Sequence, residues 1–162
     1  MSKISPLAFI DPEAKIGENC EIGPFCFIDK NVEIGDNNVL MNSVSVLYGA
    51  RIGNGNVIFP GAVISAVPQD LKFRGEETTA EVGDNNKIRE NVTINRGTAA
   101  KGKTCVGSGN LLMESVHVAH DAFVGNDCII GNGTKLAGEI IIDDHAIISA
   151  CLLYTSDAAD DL

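Results

Sequence analysis

The stretch ESVHVAHDAFVG, residues 114–125, holds His117 and His120, with Asp121 directly after the second. A neutral imidazole, with an ordinary pKa of about 6.5, can take a hydroxyl proton as that oxygen attacks an activated carbonyl. An adjacent carboxylate can orient such a ring and stabilise its charged form. By spacing alone, His-x-x-His-Asp fits an acid–base pair, bare surface placement or metal ligation. A zinc site normally takes three or four ligands, and His145 is the one histidine left. The elements that carry these side chains decide among the three.

Those elements repeat every six residues. Stepping by six from Ile4 to Ile148 gives 25 positions, and 22 of them are Ile, Leu or Val. The exceptions are Asp70, Glu76 and Ala100. Gly or Asp often follows the aliphatic, as at Gly17, Gly53, Gly107 and Asp143, types suited to a turn with unusual backbone angles. Two residues before it stands a small or β-branched residue, such as Cys20, Cys26, Val32, Ala62, Val92 or Cys128. Alternation puts both on the same side of a strand. Each hexapeptide is therefore a short strand and a corner, and helix is excluded because a 3.6-residue period is absent. Three such faces close a coil, and about eight coils stacked at roughly 4.8 Å make an all-β prism on the order of 40 Å tall. Asn38, Asn56 and Asn110 also fall at inward positions, where stacked amides can hydrogen-bond along the prism.

On this register His117 precedes inward Val118 and His120 follows it by two, so both point outward. One coil further on, Gly138 falls over His120, Glu139 over Asp121 and Lys135 over His117. A glycine there leaves room for a substrate and offers an N–H to a developing oxyanion.

The period is interrupted twice, at SAVPQDLKFRGEETTAE (residues 65–81) and NRGTAAKGKTC (residues 95–105). Both read as loops projecting from a corner, where function commonly sits on a rigid scaffold. Both also belong to a stretch whose charge balance is positive, +2 over residues 72–103. The chain's net charge is −10, yet seven of its twelve Lys and Arg lie between residues 72 and 103. That stretch reads either as a solvated face or as a local site for an anionic ligand. The acidic body disfavours nonspecific binding to nucleic acid or anionic membranes.

No run approaches the roughly 18–20 apolar residues of a membrane span, and the N-terminus lacks a secretory apolar segment. Five cysteines without a CxxC pair point to a reducing compartment, so a cytoplasmic location is expected.

The hexapeptide pattern resembles the hexapeptide-repeat acyltransferase superfamily, which implies a left-handed parallel β-helix. Four segments narrow the resemblance: VPQDLKFRGE, IRENVTINRGT, NLLMESVHVAHD and TKLAGE. In this order and spacing they are similar to the UDP-N-acetylglucosamine 3-O-acyltransferases of lipid A biosynthesis. That resemblance implies transfer of a 3-hydroxyacyl chain from acyl carrier protein to the glucosamine 3-hydroxyl of UDP-N-acetylglucosamine, without metal or cofactor. It makes His120 the general base, Asp121 its orienting partner and Gly138 the oxyanion donor. Gln69, Asp70, Lys72, Met113, His117 and Asn132 would bind substrate. A homotrimer is implied, in which Asp70 and Lys72 of one chain meet His120 of the next. The chain departs from many members at Asn95 and Glu139, where histidine is common.

Rival readings on this fold lack their own signals. The pathway's N-acyltransferase carries an N-terminal uridine-binding domain, whereas here the period starts at Ile4. The zinc carbonic anhydrase pattern of three histidines is missing. A non-catalytic β-helix would leave the loops and the outward histidines without a role. The repeat domain is expected over 1–150, followed by a non-repeat, non-native tail at 151–162. Tyr154 and Asp160 break the inward register there. The family's further coils and helical C-terminal domain are expected to be absent, leaving a C-terminally truncated, poorly active copy.

Overall fold

The computed structural model describes residues 1–150; the expected tail at 151–162 lies outside the described residues. Short strands recur every six residues and stack into three parallel sheets of eight, seven and seven strands. The first face runs from Lys3–Ile4 to Ile147–Ile148, the second from Phe9–Ile10 to Lys135–Leu136, and the third from Lys15–Ile16 to Ile141–Ile142. Each strand pairs with the equivalent strand of the neighbouring coil, Ile4 with Ile22 and His117 with Lys135, for example. This is the parallel β-coil that the repeat implied, with the left-handed form that the family resemblance implied. Among the described residues, no helix is long and apolar enough to cross a membrane.

The inward positions build the core. The stepped aliphatics from Ile22 to Ile142 are buried outside the loops, as are Cys20, Cys26, Val32, Val44, Ala62, Val92, Val116, Ala122 and Cys128. With so few aromatics, packing rests on branched aliphatics that interdigitate between coils. Along the corner between the third and first faces runs an amide ladder. Asn38 Oδ1 accepts from the Asn56 backbone N–H (2.8 Å), Asn56 Oδ1 from that of Asn86 (2.9 Å), and Asn86 Oδ1 from that of Asn110 (2.8 Å). Asn86 completes a series of which the sequence reading saw three members.

The glycines that follow the aliphatics have a different cause from the one expected. The left-handed backbone falls three residues after the aliphatic, at Asn19, Asn37, Ser115 and Asp121 among others. Gly53 and Gly83 are required instead by the closeness of successive coils. A Cβ on Gly53 would lie 2.8 Å from the Gly83 carbonyl oxygen, and one on Gly83 would lie 2.8 Å from that of Gly107.

Both interruptions are loops, but shorter than the bounds 65–81 and 95–105. Strand Val63–Ala66 continues past Ser65, Thr79–Val82 begins before residue 81, Thr93–Asn95 includes Asn95, and Lys103–Val106 begins before Cys105. Coil-to-coil pairing reaches into the loop ends, as in Ala66 with Asn95 and Glu81 with Cys105. The loops proper cover 67–78 and 96–102. Stacked positions are 30 residues apart across the first loop and 24 across the second, against 18 elsewhere. Each insertion is a whole number of hexapeptides, which is why the inward register survives both.

Candidate active site

Both loops leave the second face and rejoin the third, so they project from the same edge of the prism. On the next coil that edge carries residues 119–122, and on the following one residues 137–140. The first loop, the second loop, the His120–Asp121 corner and the Gly138–Glu139 corner thus succeed one another along one edge. Segments separated by up to seventy-odd residues are brought together by stacking alone.

Asp121 sits in left-handed backbone (φ 60°), which a short polar side chain tolerates. Its carboxylate is buried and receives four donors. Oδ1 accepts the N–H groups of Thr98 (3.0 Å) and Lys101 (3.2 Å); Oδ2 accepts the Thr98 hydroxyl (2.6 Å) and His120 Nδ1 (2.8 Å). Burial by itself would raise the carboxyl pKa. The bonds from the Thr98 side chain, His120 and the two N–H groups outweigh it and hold the group below the ordinary carboxylate value. An ionised carboxylate can only accept, so His120 Nδ1 is the donor, which in the neutral ring leaves the lone pair on Nε2.

Over that ring lies Gly138, as the stacking arithmetic expected. A Cβ built there would stand 2.7 Å from both Cε1 and Nε2 of His120. The Glu139 N–H donates to the His120 carbonyl oxygen (3.0 Å), while the Gly138 N–H has no acceptor among the described residues. An imidazole lone pair beside a free N–H is what attack of a hydroxyl on a carbonyl requires.

A cleft of about 310 Å³ on the second face is lined by Gln69, Thr93, His117 and Lys135. His117 Nδ1 lies 2.7 Å from the Thr93 hydroxyl oxygen. Burial, then the nearby Lys135 ammonium and His120, push the His117 pKa down, favouring the neutral ring. The structure therefore unites Gln69 with His117 in one cleft, and His120 and Asp121 with Gly138 at one corner. Asp70 and Lys72 stay on the first loop, where the Lys72 N–H donates to Asp70 Oδ1 (2.9 Å). Met113 and Asn132 lie at the other edge of the second face, in the corners that follow Leu111–Leu112 and Ile129–Ile130.

Sequence reasoning gave no site role to Thr93, Thr98, Lys101 or Thr104, and saw in Lys135 only a residue stacked over His117. Their signals were their places in the IRENVTINRGT and TKLAGE segments and in the second interruption. The basic stretch proves to be divided rather than pooled. Lys103 pairs with Glu81 (3.0 Å) and Arg89 with Glu90 (3.0 Å), while Arg96 lies buried between the rings of Tyr48 and Phe73. Phe73 on Arg96, with the Asn95 amide donating to the Val67 carbonyl (3.2 Å), ties down the first loop.

No protein-family model matches the chain. Among solved structures it is similar to LpxA, a UDP-N-acetylglucosamine acyltransferase from Bacteroides fragilis, at 74% identity with a TM-score of 0.88. That match covers 90% of this chain and 57% of the other. The Francisella novicida UDP-N-acetylglucosamine acyltransferase is 44% identical with a TM-score of 0.89, over 91% of this chain and 54% of that one. LpxA from Acinetobacter baumannii is 34% identical with a TM-score of 0.74, over 92% of this chain and 71% of that one. The chain spans little more than half the length of the first of these relatives, yet nearly all its described residues are matched at these identities. On sequence and fold together, the chain belongs to the UDP-N-acetylglucosamine acyltransferase (LpxA) family.

Proposed function

We propose that the repeat domain acylates the glucosamine 3-hydroxyl of UDP-N-acetylglucosamine with a 3-hydroxyacyl chain from acyl carrier protein. The observation that carries this reading is the His120–Asp121 pair beneath Gly138, with Nε2 and an unused N–H on the same edge. In this reading His120 Nε2 removes the 3-hydroxyl proton as the oxygen attacks the thioester carbon. The carbonyl oxygen becomes an oxyanion that the Gly138 N–H receives. Collapse breaks the carbon–sulfur bond, and His120 returns the proton to the departing thiolate. Asp121, charged throughout, keeps the ring oriented and offsets its transient positive charge.

Gln69 and His117 line the cleft beside this corner and would hold the sugar nucleotide, and Met113 and Asn132 would extend the groove across the second face. Asp70 and Lys72 would meet the His120 of a neighbouring copy in a homotrimer, which suits their place on an exposed loop. Cys20, Cys26, Cys105 and Cys128 are free thiols, in keeping with a cytoplasmic setting.

The test is to incubate the purified chain with 3-hydroxyacyl carrier protein and UDP-N-acetylglucosamine and to locate the acyl group by mass spectrometry. Acylation at O3 that disappears in His120→Ala is expected. No acylated sugar from the unsubstituted chain, or normal turnover by the alanine variant, would overturn the reading.

A further inference from the structure

We infer that the second loop, residues 96–102, is a positioning device that fixes the tautomer of His120 and the register between His120 and Gly138. This rests on the proposed reaction for its purpose, but its geometry stands apart from it.

A carboxylate offers about four lone-pair directions, and all four of Asp121 are taken. Three of the donors come from the second loop, two from Thr98 and one from the Lys101 N–H. The Thr98 hydroxyl oxygen also accepts the Ala100 N–H (3.2 Å), which turns its proton towards Asp121. Below the carboxylate, the Asp121 N–H donates to the Thr104 hydroxyl oxygen (2.8 Å). So held, the carboxylate can neither rotate nor readily protonate, and the last direction admits only an Nδ1–H from His120.

The Lys101 ammonium has a second task. It donates to the carbonyl oxygens of Asp121 (3.1 Å) and Glu139 (3.2 Å), on successive coils. Those two residues directly follow His120 and Gly138, so one side chain ties the base's corner to the corner that bears the free N–H. The other charged or titratable groups around the dyad are His117 and Lys135 on the second face and Glu139 on the next corner. Loop and dyad also explain each other's form. The six residues by which this coil exceeds the others give a loop long enough to bring Thr98 and Lys101 to Asp121 on the next coil.

Thr98 and Lys101 are therefore positioning residues with separable effects. The test uses the full chain labelled with ¹⁵N-histidine, with Thr98→Ser, Thr98→Val and Lys101→Met beside it. In the unsubstituted chain and in Thr98→Ser, the His120 ring should be protonated at Nδ1 and free at Nε2. Thr98→Val should give a mixture of tautomers and lower kcat by about tenfold with KM changed by no more than about twofold. Lys101→Met should keep the tautomer while exchange of the Glu139 amide, which is bonded to the His120 carbonyl oxygen, quickens by about tenfold.

An Nε2-protonated ring in the unsubstituted chain would overturn the inference without any variant having to fold. An unchanged tautomer in folded Thr98→Val, a Thr98→Ser as impaired as Thr98→Val, or unchanged exchange in Lys101→Met would also overturn it. The ring and amide signals are read without substrate. A chain that acylates nothing would thus sink the proposed reaction, while these signals still judge the positioning role.

Discussion

Gly138 covers His120 so closely that a Cβ on it would stand 2.7 Å from Cε1 and from Nε2 of the imidazole. Real carbon contacts do not occur at that distance, so a side chain here must turn the ring. The ring is held by a single bond to Asp121, and turning it costs the fold little but disconnects the base. Gly138→Ala should therefore keep its melting temperature within a few degrees. Acyl transfer should fall by about 10²-fold, read in the mass-spectrometric assay beside a thermal melt.

The amide ladder makes the opposite prediction, for stability without chemistry. Asn56 accepts the Asn86 N–H and donates through Nδ2 to Asn38 Oδ1 (3.1 Å) and the Gly83 carbonyl oxygen (3.0 Å), all inside the prism. Asn56→Ala strands these partners away from water and should cost about 2–4 kcal/mol. Exposed Asn42→Ala should change stability by no more than about 0.5 kcal/mol. Urea denaturation of the two variants checks the contrast.

His117 should be neutral at physiological pH. Its pKa is pushed down by burial first, with Lys135 and His120 adding to the effect. Lys135→Met removes the second cause, so the pKa should rise while remaining below that of an exposed histidine, as seen in the ring Cε1–H shift. Because the folded value is depressed, the unfolded chain takes up this proton first as pH falls below about 6.5. The unsubstituted chain should lose stability from there downwards, and Lys135→Met should lose less of it.

Asp121 sets a lower window. Its folded pKa lies below the ordinary carboxylate value, so its contribution is complete above about pH 4 and is lost as pH falls further, towards the folded value. Asp121→Asn puts an amide donor among the N–H donors of Thr98 and Lys101 and should cost about 2–4 kcal/mol near pH 7. The difference between the two proteins should shrink in acid, as followed by urea unfolding at pH 7 and pH 3.

How much could be read without coordinates follows from which interactions are periodic. Val118 inside, His117 and His120 outside, and Gly138 over His120 are consequences of counting by six, since each strand has two faces and each coil repeats the last. The same counting misread the glycines. A close approach between backbones and a left-handed turn both select glycine, and only the structure separates Gly53 from the Asp121 position. Counting also fails inside the loops, where Asp70 and Glu76 occupy nominal inward steps yet lie outside the core.

The all-β coil, its inward side chains, the two interruptions and the outward placement of the histidines are written in the residue pattern. These follow from a local rule, strand alternation with a corner every six residues. The folded coil shows that both loops share one edge with His120 and that the second closes on Asp121. It alone showed that Thr98 and Lys101 fill the remaining lone pairs of Asp121. The path of an inserted loop is set by hydrogen-bond partners on other coils, and no spacing along the chain encodes where those partners lie.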